Sequence, residues 1–286
     1  MENKKIILGT AQFLNKYGIA NTNQKKISKN TFYKILNLSI QNGIKILDTA
    51  NSYKNEKEIG NFIKANKVEK KIKIITKIPS LKTIKKKDIT KILEKSLKNL
   101  NIKKFHTIFF HDQNDIDFIL KNKIFFQKIK KEFGYPNFGI SLYDKKGLKK
   151  INKTNLINCA QVPLNFLNDE FLKLKYKKNF KVFVRSIFLQ GFLTNEKINY
   201  KNLDKKTIIA HKKYFIYLKK NNINPLKFCL SFINSVRKFD HYIFGTNSAS
   251  QLKEILQAKR SLKIDLFHLN EIRSIFKNSS LDPRNW

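Results

Sequence analysis

The stretch IKILDTANSY (residues 44–53) decides the fold expected for this chain. Its first half is a short apolar run that predicts a β-strand ending at Asp48, and the amphipathic segment EKEIGNFIKAN (56–66) predicts a helix directly after it. Strand and helix signals of this kind alternate along the whole sequence. Such alternation is typical of repeated βα units around a parallel sheet.

Eight apolar runs are predicted to form the strands of that sheet. They are residues 5–9, 44–48, 72–77, 105–111, 137–141, 158–162, 181–186 and 241–246. Helical periodicity fills the intervals after the first four strands. These helices are predicted at residues 31–43, 56–66, 88–100 and 117–133.

Three further helical patterns are found in the second half of the chain, and two of them exceed what a simple barrel needs. Two of them, at 204–221 and 225–236, occupy the interval between the seventh and eighth strands, so one is extra to the barrel. The third, at 266–278, follows the eighth βα unit. We therefore predict the α/β class, as one (β/α)₈ TIM-barrel domain over residues 1–286 with extra helices after strand 7 and at the C-terminus.

The charge of the chain suggests a different role, binding to polyanions. Lysine and arginine number 59 against 21 acidic residues, which gives a formal net charge of +38. Only five of the 59 are arginine, the residue that reads bases and phosphates by its bidentate fork. The lysines are spread along the polar positions of helical patterns, which favours solvated helix faces. We expect no specific nucleic-acid partner, and polyanion binding is the lesser alternative.

Several classes of protein and site are disfavoured by what the sequence lacks. It has neither a signal peptide nor an apolar run approaching ~20 residues, so we expect a cytoplasmic protein without a membrane partner. The two cysteines, Cys159 and Cys229, have apolar surroundings and are predicted to be buried thiols without a disulfide. No glycine-rich nucleotide fingerprint, phosphate loop, metal-ligand cluster or nucleophile elbow is found, and we expect no metal.

Four polar residues lie at the ends of predicted strands or in the loop after one of them. They are Asp48, Tyr53, Lys77 and His111. Taken singly, each has a structural interpretation: a helix cap, a loop aromatic, a solvated amine and a structural imidazole. The carboxyl ends of barrel strands meet on one face, however, so these side chains are expected to converge there. An acid, a phenol, an amine and an imidazole together can protonate a carbonyl while a cofactor delivers hydride.

These four residues, with LGTAQF (8–13) and the later strand ends, resemble the aldo-keto reductase family over essentially the whole chain. The resemblance implies an eight-stranded α/β barrel that reduces an aldehyde or ketone, with sugar-derived carbonyls among the candidates, by NADPH or NADH. It implies that Tyr53 donates the proton and that Lys77 lowers the pKa of Tyr53. It also implies that Asp48 holds Lys77 in place and that His111 orients the carbonyl.

The same resemblance implies a set of cofactor contacts at later strand ends. Ser141 and Gln161 match positions that bind the carboxamide, and Arg185 matches the residue that stacks on the nicotinamide ring. Ser186, Leu189 and Gly191 match positions along the pyrophosphate. The positions at the adenosine 2′-phosphate end are matched by Gly245, Thr246, Ser248 and Gln251. The substrate pocket is expected to include Phe13, Tyr17, Gln113 and the C-terminal tail.

Two positions depart from the family pattern. Leu142 stands where an asparagine usually follows the matched serine, and the loop after Tyr53 reaches Glu56 and Gly60 one residue sooner. Because some members of the family keep the barrel and the cofactor site without useful turnover, a catalytically weak regulatory or cofactor-binding barrel is the main alternative to an enzyme. The complete set of four residues favours the enzyme. The sequence identifies neither the carbonyl substrate nor the oligomeric state.

Overall fold

Eight parallel strands close into a barrel in chain order. The computed structural model describes residues 2, 5–23, 25–152, 154–236, 238–258 and 264–286. The strands are β1 (Ile6–Gly9), β2 (Ile46–Asp48), β3 (Lys73–Ile78), β4 (Thr107–Phe110), β5 (Asn137–Ser141), β6 (Cys159–Pro163), β7 (Lys181–Arg185) and β8 (His241–Phe244). The predicted barrel is confirmed, and every strand lies within about two residues of its predicted bounds.

The helices surround the barrel. They are α1 (Lys29–Gln41), α2 (Glu56–Ala65), α3 (Ile89–Leu100), α4 (Ile116–Lys121), α5 (Lys123–Glu132), α6 (Lys146–Ile151), α7 (Lys205–Lys220), α8 (Pro225–Ser235), α9 (Ala249–Ala258) and α10 (Leu266–Ile275). Helix α8 packs beside α9, and α9 beside α1, whereas α7 packs on α10. Helices α7 and α10 are thus the two predicted additions to the barrel. None of the helices in the described ranges is long and apolar enough to cross a membrane.

The single helix predicted over 117–133 was wrong in one respect, because the structure divides it into α4 and α5. The break lies at Asn122, whose backbone N–H and side-chain amide both donate to the Phe118 carbonyl. An asparagine side chain that bonds to the backbone in this way competes with helix continuation. Because the apolar periodicity continues across Asn122, the sequence pattern did not reveal the break.

The connection between β6 and β7 departs from the regular βα pattern. Residues 164–180, all of them described, contain a single 3₁₀ turn at Glu170–Lys173 and no α-helix. Two lysines bind carbonyl groups around this connection: the Lys177 ammonium donates to Ile157 O at 2.8 Å, and the Lys238 ammonium donates to Leu174 O at 2.8 Å. These ammonium groups satisfy backbone carbonyls that have no helical partner.

A layer of apolar side chains fills the middle of the barrel. Its members are Ile7, Ile46, Ile75, Phe109, Cys159, Phe183 and Ile243. The remaining strand, β5, contributes Gly139, where a Cβ would lie 2.4 Å from the Phe109 ring and 2.6 Å from Cys159 Sγ. The missing side chain makes room for Phe109, which packs edge-on against Phe183 with ring centroids 5.4 Å apart. The barrel is therefore a filled core.

The next inward-facing layer lies two residues further along each strand, because side chains alternate between the two faces of a strand. It consists of Gly9, Asp48, Lys77, His111, Ser141, Gln161, Arg185 and Gly245. This layer is polar apart from its two glycines, and it lies at the carboxyl ends of the strands. The barrel geometry thus places three of the four proposed catalytic residues in one ring.

Helices α2 and α3 approach closely at Gly60, and this contact yields a stability prediction. A Cβ on Gly60 would lie 1.9 Å from the backbone carbonyl oxygen of Asn99. In an open helix, alanine would be favoured over glycine by about 1 kcal/mol. Here we expect Gly60→Ala to lower the free energy of unfolding by about 1–3 kcal/mol, because overpacking forces the helices apart.

Urea denaturation monitored by circular dichroism measures this change. The matched control is Lys57→Ala on the exposed side of the same helix, which should stay within about 0.5 kcal/mol of the wild type. A stabilised Gly60→Ala variant would show that the two helices separate without cost.

Candidate active site

A buried ion pair lies at the centre of the polar layer. The Lys77 side chain is 2% exposed, and its ammonium donates to Asp48 Oδ2 at 2.7 Å and to the Thr49 carbonyl at 3.0 Å. The other Asp48 oxygen accepts a hydrogen bond from Gln161 Nε2 at 2.8 Å. Burial lowers the pKa of Lys77, but the Asp48 carboxylate and the nearby Tyr53 raise it by more. Lys77 therefore stays protonated beneath the site.

The third hydrogen bond of the Lys77 ammonium goes to the Tyr53 hydroxyl, at 3.3 Å. Tyr53 ends a 3₁₀ turn (Asn51–Tyr53), and the next residue, Lys54, has φ of 56°. The turn is held by Asn15, whose amide donates to the Tyr53 carbonyl at 2.7 Å. The buried Asn55 supports it from the other side, donating to Thr10 O at 2.7 Å. This is the loop that departs from the family pattern in length, and the amide side chains hold it in place.

Burial controls the ionisation of Tyr53. It raises the pKa of the phenol by more than Lys77 lowers it, so the pKa of Tyr53 lies above its ordinary value. The family resemblance implied that Lys77 lowers this pKa. The contribution of Lys77 has that direction, but burial outweighs it. Tyr53 is therefore fully protonated at neutral pH and holds a proton that it can give away.

His111 faces Tyr53 with the two rings roughly perpendicular and their centroids 6.2 Å apart. Burial lowers the pKa of His111 to about 4, with further lowering by the positive charges of Lys77 and Arg185. At neutral pH the imidazole is uncharged. It can offer an N–H to a neighbouring oxygen without adding a charge to the site.

These residues face a cavity of about 370 Å³ at the carboxyl ends of the strands. The residues predicted from the sequence that line it are Tyr17, Asp48, Tyr53, His111, Ser141, Gln161, Arg185, Ser186, Leu189, Gly191, Gly245, Thr246 and Gln251. Lys77 lies below this lining, with its ammonium against Tyr53. Residues from seven different strand ends and loops thus meet in one concave site.

Three other predicted residues lie outside the lining of the cavity. Phe13 is buried in the core with its ring 4.3 Å from that of Phe32. The side-chain oxygen of Gln113 accepts a hydrogen bond from Tyr143 N at 2.7 Å and so positions that residue. Ser248 Oγ accepts from Gln251 N at 3.1 Å at the start of α9. These side chains support the site and do not face it.

The structure also adds residues that sequence reasoning missed. Gln12, within the LGTAQF segment, donates from Nε2 to Thr246 O at 2.7 Å and joins the ends of β1 and β8. Tyr143 lines the cavity, as does Arg284 of the C-terminal tail that was expected in the pocket, and the guanidinium carbon of Arg284 lies 4.4 Å from the centre of the Tyr143 ring. The position of Gln12 in a motif was an available signal. The meeting of Tyr143 with Arg284 had none.

Arg185 lines the cavity as a guanidinium held by uncharged partners. It donates from Nη2 to Leu142 O at 2.9 Å and from Nη1 to Ser186 Oγ at 3.2 Å. Its Nε is buried without a hydrogen-bond partner among the described residues, and burial lowers its pKa. Leu142, where the family usually has asparagine, thus serves the site through its carbonyl.

No group of three or more His, Cys, Asp or Glu side chains that could hold a metal ion occurs among the described residues. The polar contacts of the site are instead an ion pair, a phenol, an imidazole, a guanidinium and amide groups. This set can bind and protonate an oxygen atom next to a bound organic cofactor.

The model of the aldo/keto reductase family matches residues 5–276. The chain belongs to this family. The resemblance inferred from the sequence is thereby confirmed. Aldo-keto reductases are NAD(P)H-dependent oxidoreductases that act on small-molecule carbonyl compounds, and membership makes this chain an oxidoreductase of that broad class.

Solved structures of other aldo-keto reductases share the fold. A glycerol dehydrogenase from Gluconobacter oxydans has a TM-score of 0.67 and 17% identity, with 98% of this chain and 93% of that chain covered. The holo form of an aldo-keto reductase from Bacillus halodurans has a TM-score of 0.72 and 19% identity, with 97% and 93% covered. No curated protein matches the sequence.

The buried ion pair of this aldo-keto reductase leads to a second stability prediction. We expect Asp48→Asn to lower the free energy of unfolding by about 3–5 kcal/mol, because it leaves the Lys77 ammonium buried without a counter-charge. The double variant Asp48→Asn/Lys77→Met should recover a large part of that loss. Chemical denaturation of Asp48→Asn, Lys77→Met and the double variant measures both values and the coupling between the two residues.

The control is Asp117→Asn. Its ion pair with Lys150 is more than half exposed on both sides, and removing it should cost about 0–1 kcal/mol. Losses that simply add in the double variant would show that Asp48 and Lys77 are not energetically coupled.

Proposed function

We propose that this chain reduces an aldehyde or ketone with NADPH or NADH, with Tyr53 as the proton donor. The observation that carries the proposal is the Asp48–Lys77–Tyr53 chain of contacts, at 2.7 and 3.3 Å, which ends at the cavity. A protonated phenol beside a permanently charged ammonium is a suitable acid for a carbonyl oxygen.

The donors and acceptors of the cavity fit a nicotinamide. Because Gln161 Nε2 is committed to Asp48, its side-chain oxygen is left to accept from a carboxamide, and the neighbouring Ser141 hydroxyl can donate to one. Arg185 offers a planar face for stacking on the ring, and its Nε has no partner within the described chain. When bound, the reduced nicotinamide supplies the hydride.

The protein residues then handle the proton. Tyr53 donates its hydroxyl proton to the carbonyl oxygen, and the resulting phenolate is stabilised by the Lys77 ammonium at 3.3 Å. Asp48 keeps that ammonium in place. The neutral imidazole of His111 donates a hydrogen bond to the same oxygen as negative charge develops on it. The Tyr53 phenol and the His111 imidazole are both uncharged before the reaction. The phenol therefore still carries the proton that it donates, and the imidazole carries the N–H that it offers.

We predict that Tyr53→Phe abolishes carbonyl reduction and leaves cofactor binding nearly unchanged, because only the proton donor is removed. Loss of an essential acid costs on the order of 10²-fold or more in kcat. Turnover follows from the absorbance of the reduced cofactor, and binding follows from its fluorescence. Tyr33→Phe, on α1 and remote from the cavity, is the matched control.

A Tyr53→Phe variant with near-wild-type kcat would refute the assignment of the acid. A wild-type protein that binds cofactor tightly and reduces no carbonyl compound would instead support the regulatory barrel.

The proposal also predicts weak discrimination between NADPH and NADH, with a modest lean towards NADPH. At the expected adenosine end, the oxygen of Gln251 accepts from Asn247 N at 2.8 Å and from Thr246 Oγ1 at 3.1 Å. These are neutral groups, whereas a strong preference for a 2′-phosphate needs charge-assisted bonds.

Dissociation constants of both cofactors at matched ionic strength measure the preference. We expect Gln251→Arg to raise it on the order of tenfold or more, because a charged hydrogen bond is gained. A wild-type preference of several hundredfold would show that a basic residue outside this set binds the phosphate.

A further inference from the structure

The cations that line the cavity differ from those of the rest of the chain. Five of the 59 basic residues are arginine, yet the two basic residues in the described lining, Arg185 and Arg284, are both arginine. A surface sampled at random from this composition would present lysine. Arginine differs by its flat fork of N–H groups, which fits a carboxylate or a phosphate with two parallel hydrogen bonds.

Tyr143 holds both arginines on one aromatic ring. The guanidinium carbons of Arg185 and Arg284 lie 4.8 and 4.4 Å from the centre of that ring. The backbone of Tyr143 is itself fixed by Gln113, whose side-chain oxygen accepts its N–H at 2.7 Å. Because stacking and hydrogen bonds hold the guanidinium groups, little conformational entropy remains to be lost when a ligand binds.

Arg284 has a free edge in this arrangement. Its Nε donates to the Asp282 carboxylate at 2.9 Å, and its Nη2 donates to the same carboxylate. Nη1 takes no part in these bonds, and the side chain is 51% exposed. The hydrogen bond to Asp282 also raises the pKa of Arg284, so the group stays charged. One edge of the fork is anchored, and the other can receive a ligand.

The balance of charge around the cavity is positive. Among the described residues that line the cavity, one is acidic, Asp48, and the Lys77 ammonium neutralises its charge. Asp282 offsets Arg284, but Arg185 has no carboxylate within salt-bridge distance in the described chain. Burial is the largest effect on the pKa values of Tyr53 and His111, and the positive charge of Arg185 acts on both groups in the lowering direction. All three residues line the same cavity. An anionic substrate would supply the missing negative charge.

We propose that the carbonyl substrate carries a carboxylate or phosphate group, and that Arg284 binds this group on the Tyr143 platform. Arg284 is then a specificity-determining residue, and Arg185 attracts the anion towards Tyr53 by its unpaired charge. The inference rests on the proposed reductase function, because it identifies the class of substrate that the same site accepts.

The test compares pairs of aldehydes of which one member carries an anionic group and the other does not. In the first pair, 4-carboxybenzaldehyde is compared with 4-formylbenzamide, and in the second, glyceraldehyde 3-phosphate with glyceraldehyde. We expect wild-type kcat/KM to favour the anionic member of at least one pair, and the pair that responds distinguishes carboxylate from phosphate.

Arg284→Gln should lower kcat/KM for the preferred anionic aldehyde on the order of tenfold to a hundredfold and change that of its neutral partner little, since one charge-assisted contact is lost. Arg284→Lys keeps the charge but lacks the fork of N–H groups. Its kcat/KM for the anionic aldehyde should lie between the values of the wild type and Arg284→Gln. The matched control is Arg273→Gln. Arg273 bonds to Asp169 at 2.9 Å and to Phe166 O at 2.7 Å and lies outside the cavity lining, so both members of a pair should respond equally.

Thermal unfolding of each variant shows whether the protein is folded. A misfolded variant would lose activity towards the anionic and the neutral aldehyde equally. Equal rates for charged and neutral aldehydes in the wild type, or equal losses in Arg284→Gln, would overturn this inference and leave the reductase function standing. A wild-type protein that reduces none of the four aldehydes and no other carbonyl compound would overturn the function and this inference together.

Discussion

The buried contact between Asp48 and Lys77 is the constraint on which the site depends. Taking an ammonium and a carboxylate out of water costs several kcal/mol for each ion, and the cost is offset only where every hydrogen bond is made. Here Lys77 uses its three donors on Asp48, Thr49 and Tyr53, and Asp48 also accepts from Gln161. The pair therefore ties together the ends of β2, β3 and β6 and the loop that carries Tyr53.

The same burial decides how the site holds its protons. Burial raises the pKa of Tyr53 by more than the Lys77 charge lowers it, and burial lowers the pKa of His111 to about 4. Both groups are neutral at physiological pH, which suits a reaction in which one gives a proton and the other donates a hydrogen bond. The apolar layer below, closed by Phe109 where Gly139 leaves room, excludes water from the floor of the site.

The chain separates two uses of positive charge. Its lysines lie mainly on solvated faces, and two of them, Lys177 and Lys238, satisfy backbone carbonyls around the helix-free β6–β7 connection. Its arginines in the cavity are held by a carbonyl, a hydroxyl, a carboxylate and an aromatic ring. A net charge of +38 therefore says little about the ligand, whereas the two guanidinium groups on the Tyr143 ring in the cavity say much more.

The sequence by itself determined the barrel and brought the four proposed catalytic residues to one face. Apolar runs mark strands, and the parallel closure of those strands requires that their carboxyl ends meet. For this reason the sequence alone places Asp48, Lys77 and His111 together. Local patterns of this kind need only neighbours in sequence.

Tertiary structure alone decided the remaining features. The break at Asn122 depends on a side chain that competes for a backbone carbonyl, and the pKa of Tyr53 depends on whether burial or the Lys77 charge is the larger effect. The packing of Arg284 on Tyr143 joins residues from opposite ends of the second half of the chain. Periodicity cannot show such contacts, because they depend on distances in space that no spacing along the chain encodes.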